Sequence, residues 1–466
     1  MVCILRKQLM HLWGKIVGLE TTPLHHSFLL GILLFSFFPI KYFPLPQPLF
    51  SRSEQRTLEL VSSTLLNSQQ SLIAYPLLPD SEVVFSASAS GFNVEAYVTQ
   101  AGGYFSTYQQ YMNSTGWTNG ADVLNRIAIE NSINPRLLLT ILEFRCGCVL
   151  STPIKKLDGN YLMKVNDPRK EGLYRQLGYV INQLSIGYYG WRTGTLTSII
   201  FADGSSYTLP KDINAGSVAL EYLFAQLYSP LEWEQALNPD SGITALYTRM
   251  FGDPWSRARA IEPIIPVGLS QPELILPFEI GKLWSFSSGP HKAWETEGAL
   301  AALDFAPASA QGGCHPSNAW IVAVADGLIV RSQFGAVVLD LDADGREETG
   351  WNILYMHVET RDRVTLGTYL RAGDRIGHPS CEGGPANGTH LHIARKFNGE
   401  WIAAAGPITF VMDGWKTLAG VKPFEGSLSK ANQVITANPY GTRATYITRQ
   451  AYQPGYYRPF KDIMYE

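Results

Sequence analysis

"GTHLHIARKFNGEWI", residues 388–402, places two histidines, His390 and His392, one residue apart. Leu391 lies between them, and Ile393 and Trp401 follow. The flanks are apolar and β-prone. In a strand, alternate side chains share a face. The two imidazoles therefore point the same way, onto one face of a sheet. A single histidine on an apolar strand is usually a satisfied core or surface residue. Two on one face are harder to explain that way.

The neighbouring segments carry the same pattern. "AWIVAVADGLIVRSQ" (319–333) and "GAVVLDLDADGREETGWNILYMHV" (335–358) are β-branched runs broken by Asp-Gly turns. They imply an antiparallel, all-β domain over about 278–420. Six of the nine histidines fall in it: His291, His315, His357, His378, His390 and His392. Imidazole and carboxylate are the normal zinc ligands, and a catalytic site uses three protein ligands with one position left for water.

Upstream, the period changes. "NGADVLNRIAIENSI" (119–133), "LYRQLGYVINQL" (173–184) and "NAGSVALEYLFAQLY" (214–228) repeat apolar residues at three-to-four spacing. "NPRLLLTILEFRCG" (134–147) has Asn134 as an N-cap, Pro135 at the first helical position and Gly147 as a stop. The chain is thus multidomain: a mostly α N-terminal domain over 91–255, a Pro-punctuated linker over 256–277, the β domain, and a polar tail over 421–466. Residues 44–90, rich in Pro, Ser, Gln and Leu, read as a linker or stalk.

The first 43 residues read as targeting. Arg6, Lys7 and Lys15 precede "SFLLGILLFSFFPI" (27–40). That run is short of the roughly 20 residues needed to span a bilayer and has signal-peptide core length. A retained membrane anchor through residues 27–43 is the alternative to a cleaved signal. Either way the protein is expected outside the cytoplasm: secreted, cell-wall associated or anchored. The 466 residues carry a net charge of −3, so bulk electrostatics imply no nucleic-acid partner. Eleven Trp and 23 Tyr are enough to line a glycan groove or simply to fill core.

Of the five cysteines, Cys3 falls in the targeting segment. Cys314 and Cys381 sit in Gly-rich loops flanking the histidines and are expected to pair. Cys146 and Cys148 are two apart, a strained spacing for a mutual bridge; metal thiolates are the rival reading. "DLDADGREETG" (340–350) fits the first half of a calcium loop through Asp340, Asp342, Asp344 and Gly345. Trp351 stands where that loop needs an acid, so the stretch reads first as a hairpin loop able to take calcium weakly.

Taken in order, "GPH…LDFA", "IVAVADGLIV", "LYMHV", "VTLGTYLRAGDRIGHPS" and "GTHLHIARK" resemble the lysostaphin/LytM-type zinc metallopeptidases, which cut peptide bonds in peptidoglycan. The resemblance implies a duplicated hybrid-motif-like β fold, a zinc cofactor and a peptidoglycan partner. It assigns zinc to His291, Asp304 and His392, and assistance of the attacking water to His390 and His357. His291 and Asp304 are thirteen positions apart, wider than the family's usual spacing, with "KAWETEGALAAL" between them. His315 is therefore the reserve ligand.

The helical domain is similar to lysozyme-like and lytic transglycosylase domains, through the Pro-initiated apolar helix ending near Glu143. That likeness implies a catalytic acid at Glu143 and a glycan groove lined by "YYGWRTG" (188–194). Two non-catalytic alternatives accompany the hydrolase reading. One is an inactive LytM-like scaffold or activator of other wall hydrolases. The other is a glycan-binding envelope module.

Overall fold

The computed structural model describes residues 75–153, 156–294, 297–310 and 312–451. The expected targeting segment 1–43 and most of the expected stalk lie outside the described residues.

The N-terminal part is helical. Its helices are α1 (Val94–Ala101), α2 (Gly120–Asn131), α3 (Pro135–Cys146), α4 (Leu173–Arg192), α5 (Ala215–Ala225), α6 (Pro230–Ala236), α7 (Ile243–Phe251) and α8 (Pro254–Ala258). Two small hairpins interrupt them, β1 (Gln109–Met112) with β2 (Gly116–Asn119), and β3 (Ser198–Ile200) with β4 (Ser206–Thr208). The caps work as the sequence implies: the Asn134 side chain accepts from the Arg136 N–H, and Gly147 ends α3 at φ 62°. Among the described residues no helix is long and apolar enough to cross a membrane.

The stalk reading fails for its last part. Leu77, Leu78, Val83 and Val84 are buried in the helical core. Ser217 Oγ accepts from the Leu77 N–H at 2.7 Å, and Asn214 Nδ2 donates to the Leu78 carbonyl at 2.7 Å. This segment is bound by partners far along the chain, which local composition does not show.

The C-terminal part is antiparallel β. Its strands are β5 (Leu283–His291), β6 (Ala302–Pro307), β7 (Ile321–Val322), β8 (Gly327–Gln333), β9 (Ala336–Asp340), β10 (Trp351–Met356), β11 (Tyr369–Leu370), β12 (Arg375–Gly377), β13 (Leu391–Phe397), β14 (Glu400–Trp401), β15 (Val411–Met412), β16 (Trp415–Ala419), β17 (Gly426–Lys430), β18 (Gln433–Thr436) and β19 (Tyr446–Thr448). The main sheet runs β11-β8-β9-β10-β13-β6-β5-β19, with β14 beside β13, and β15–β18 form a second sheet. The tail was expected to be featureless. It supplies β17, β18 and β19 instead, and β19 closes the main sheet by pairing Tyr446–Thr448 with Ser285–Leu283.

Alternation assigns the two faces of the main sheet. Leu303, Phe305, Val337, Leu339, Ile353, Tyr355, Leu391 and Ile393 build the core of the β region. Ala302, Ala336, Val338, Leu354, Met356 and Ala394 join the helical core instead. Asp304 and His392 have the parity of this second set, so the expected ligands lie on the face against which the helical region packs. Polar contacts seal the junction. Glu400 accepts from Tyr188 Oη at 2.9 Å and from Arg192, and Ser132 Oγ donates to the Gly399 carbonyl at 2.7 Å. Tyr188 and Tyr189 are therefore buried at this junction and line no open groove.

Candidate metal centre

Three strands bring the site together. His392 on β13 pairs directly with Asp304 on β6, and Met356 on β10 pairs with His392 from the other side. His291 ends β5. Two irregularities between Phe286 and His291 give β5 two extra residues against β6. Beyond these bulges His291 lies on the ligand face, beside Asp304 and His392. Residues 292–294 and 297–301 lie outside the strands, and β6 brings Asp304 back beside His291 despite the long spacing.

The ligand atoms converge. Asp304 Oδ1 lies 3.2 Å from His291 Nε2 and 3.3 Å from His392 Nδ1, and the two ring nitrogens are 3.0 Å apart. A tetrahedral centre with bonds of about 2.0–2.1 Å has edges of about 3.3 Å, so the spacing fits one zinc ion.

The tautomers follow from the outer hydrogen bonds. His291 donates its Nδ1–H to the Gly289 carbonyl at 2.8 Å, and His392 donates its Nε2–H to the Ala293 carbonyl at 3.0 Å. Each ring thereby turns its lone-pair nitrogen inward, the usual arrangement of metal-bound histidines. Asp304 Oδ1 is buried without a hydrogen-bond partner. Three acceptors thus face one another with no proton between them, which is costly unless a cation sits there.

Electrostatics push the same way. Burial would raise the Asp304 carboxyl, but His291 and then His390 pull it well below the usual range. Burial opposes protonation of His291, yet Asp304 raises it on balance. Burial lowers His392.

His390 and His357 flank the triad. His390 Nε2 is 3.8 Å from Asp304 Oδ1, so both imidazoles of the His-x-His pair do share a face. His390 donates its Nδ1–H to the Gly388 carbonyl, and His357 donates its own to the Glu382 carbonyl, each at 2.8 Å. Their ring centroids are 4.4 Å apart. Burial, then His390 and His392, pushes His357 down to about 3, so it is neutral at any working pH. His357 also sits at φ 65°. A bulky residue there costs about 1–3 kcal/mol and marks a position held by its surroundings.

Sequence reasoning missed Phe424. Its ring stacks on His291 at 4.6 Å, half-exposed, on a loop of the expected tail. No motif announces it, because the loop reaches the site only through the β16–β17 hairpin.

The remaining candidates lie elsewhere. His315 is exposed, with its carbonyl accepting from Thr389 Oγ1. His378 is buried between the Ala319 carbonyl and Asp362. Cys314 and Cys381 form the expected disulfide, beside Glu382, whose carbonyl holds His357. Cys146 and Cys148 are also bridged, so the metal-thiolate reading does not hold for them. The left-handed Gly147 between them brings their Cα atoms to 5.1 Å. Glu143 Oε2 accepts from the Val149 and Leu150 N–H groups at 2.7 and 3.1 Å, which anchors the loop that follows α3.

A buried two-histidine, one-aspartate centre on an antiparallel sheet, with two further histidines at its rim, is the arrangement of the lysostaphin/LytM type. The β region resembles domains of that type. Over 354 residues the chain is 24% identical to Protease LasA of Pseudomonas aeruginosa, covering 72% of this chain and 76% of the relative; LasA from a second strain matches at the same level. Residues 76–265 match the family described as LasA, N-terminal domain. Among solved structures, the deep-sea M23 metalloprotease pseudoalterin aligns at 19% identity and TM-score 0.31, over 36% of this chain and 96% of that one. The catalytic domain of lysostaphin from Staphylococcus simulans aligns at 23% identity and TM-score 0.20, over 26% and 87%.

Proposed function

We propose that this chain is an exported zinc-dependent endopeptidase that hydrolyses peptide bonds in peptidoglycan stems or cross-bridges. The observation that carries the reading is the set of three inward lone pairs, on His291 Nε2, Asp304 Oδ1 and His392 Nδ1, within 3.0–3.3 Å of one another. Similarity to Protease LasA supports a peptidase. The ordered motif series supports peptidoglycan as substrate, and the N-terminal sequence supports export.

In this reading His291, Asp304 and His392 hold the ion. A bound zinc ion supplies Lewis-acid chemistry, polarising the scissile carbonyl and lowering the pKa of water. The chain's own residues move the proton. His390, with its Nδ1–H fixed on Gly388, offers Nε2 to the attacking water and passes that proton to the departing amine. His357, neutral and fixed by the Glu382 carbonyl, offers its Nε2 as a hydrogen-bond acceptor that orients the water. Glu143, committed to two backbone amides, serves the fold in this reading.

The test uses the full chain, because the apolar face of the sheet is shared with the helical region. Bound zinc is measured, and new free amino groups are followed during incubation with purified peptidoglycan. One zinc per chain and amine release are expected, and both should be lost in His392→Ala. A folded chain that binds no zinc would overturn the reading in favour of an inactive scaffold.

A further inference from the structure

The connection between β9 and β10 carries a second cluster of oxygen ligands. Carboxylate oxygens of Asp340, Asp342 and Asp344 lie within 4.8 Å of one another. Three carboxylates alone make no site, since a turn can simply be acidic. Two buried oxygens without partners, one on Asp340 itself and one on a neighbour, distinguish this one. Asp340 is fully buried; its Oδ2 accepts from the Gly345 N–H at 2.9 Å, but its Oδ1 has no partner. Asn352, also fully buried, donates Nδ2 to the Thr349 carbonyl at 2.7 Å and leaves its Oδ1 without a partner. Asn352 is the residue directly opposite Asp340 in the β9–β10 pair. Directly opposed side chains of an antiparallel pair stand on the same face, about 5 Å apart at Cβ. Two buried orphan oxygens therefore border the carboxylate cluster. Leaving such acceptors unpaired costs about 1–3 kcal/mol each.

We propose that the 340–352 segment binds one calcium ion through Asp340, Asp342, Asp344 and the side-chain carbonyl of Asn352. Hard oxygen ligands in a loop, with more than one carboxylate, suit calcium, which takes six to eight oxygens in flexible geometry. Magnesium demands a near-ideal octahedron and keeps its waters. The acid missing at Trp351 is replaced, one residue later, by the amide oxygen of Asn352. Electrostatics agree: burial, followed by Asp342 and Asp344, pushes the Asp340 carboxyl up to about 7. A divalent cation supplies the counter-charge that a proton would otherwise supply.

The ion would stitch the strand pair that ends at His357, remote from the zinc ligands. It would also brace the junction with the helical region. Glu347 in the same loop accepts from Arg331 at 2.7 Å and from Lys396 at 2.8 Å, and Glu348 accepts from Ser90 Oγ at 2.7 Å.

The experiment titrates calcium into the chelator-treated, zinc-restored full chain by calorimetry, with thermal unfolding in parallel. One calcium per chain is expected, with Kd of about 0.1–1 mM and a Tm rise of about 4 °C at 10 mM. Asp342→Asn combined with Asp344→Asn, both at exposed positions, should weaken binding at least about tenfold while the chain stays folded. His392→Ala should leave it intact. No binding at 10 mM would overturn the proposal. So would binding that survives the double substitution, binding lost in His392→Ala, or equal affinity for magnesium.

Discussion

Replacing His390 with alanine separates metal binding from proton transfer. His390 Nε2 stands 3.8 Å from Asp304 Oδ1, outside the 3.0–3.3 Å triangle of the three inward donors. Zinc content should therefore stay at one per chain. The structure also bounds the cost to folding: one hydrogen bond to the Gly388 carbonyl is lost, about 1 kcal/mol. The rate should fall further. A positioned general acid–base group contributes about 10²–10⁴-fold, or about 2.7–5.5 kcal/mol of barrier. The assay is amine release from purified peptidoglycan beside metal analysis of the same preparation, against wild type and His392→Ala. His392→Ala should lose zinc and activity together. Loss of zinc in His390→Ala would refute the division of labour and make His390 a ligand. A rate within threefold of wild type would refute proton transfer by His390.

Four other outcomes are expected. Without calcium, stability should fall as pH rises from about 4 to about 7, because the folded carboxyl of Asp340, at about 7, sits above its ordinary 3.8. The unfolded chain then binds fewer protons than the folded one, so the slope is negative across that window and flat above it. The shift corresponds to about 4 kcal/mol at full strength, and about half of that is expected after screening by water at the exposed Asp342 and Asp344; urea unfolding at pH 5 and 8, with and without calcium, measures it. Gly399→Ala should destabilise the chain by more than about 2 kcal/mol in urea unfolding, because a Cβ there would stand 1.9 Å from the Phe85 carbonyl at φ 79°. Reducing the Cys314–Cys381 bridge, which closes 67 residues, should cost up to about 4 kcal/mol and lower Tm, read by calorimetry with and without reductant. Gly298→Ala should weaken zinc affinity about 10–100-fold by shifting the 292–301 loop off Ser185 and Tyr189, measured by competition with a chelator.

The site was legible because alternation is local. His390 and His392 two apart must share a face, and the strands around them carry β-branched runs. The return of Asp304 after a long insertion was legible from "SGPH" and "LDFAP" on either side of it, and β5–β6 pairing completes it. What stayed hidden depends on distant partners. Leu77 and Leu78 look like linker until Asn214 and Ser217 are placed beside them. Tyr446–Thr448 is too short to show a period, yet it forms an edge of the main sheet. The Cys146–Cys148 bridge needed Gly147 in a left-handed conformation, which spacing alone does not reveal. Tyr188 and Tyr189 read as groove residues because a helix pattern does not say which neighbour its aromatic face meets; that neighbour is β14.

The insertion between His291 and Asp304 changes what the helical region is for. A short spacing would need nothing outside the sheet. Here the loop buries Ala293, Trp294, Ala299 and Ala301 in the helical core, and the Glu297 N–H is held by Asn182 of α4. The Ala293 carbonyl in turn takes the Nε2–H of His392 and so decides which nitrogen of that ring faces Asp304. Contacts with α4 thus hold the same loop whose Ala293 carbonyl sets the tautomer of His392. The small residues Ala302, Ala336 and Ala394 on the same sheet face are where the helical region approaches closely. Alternation that puts His392 and Asp304 on that face puts the junction there as well. The two parts of the molecule thus share one surface of the sheet, and the helical region belongs to the construction of the candidate metal centre.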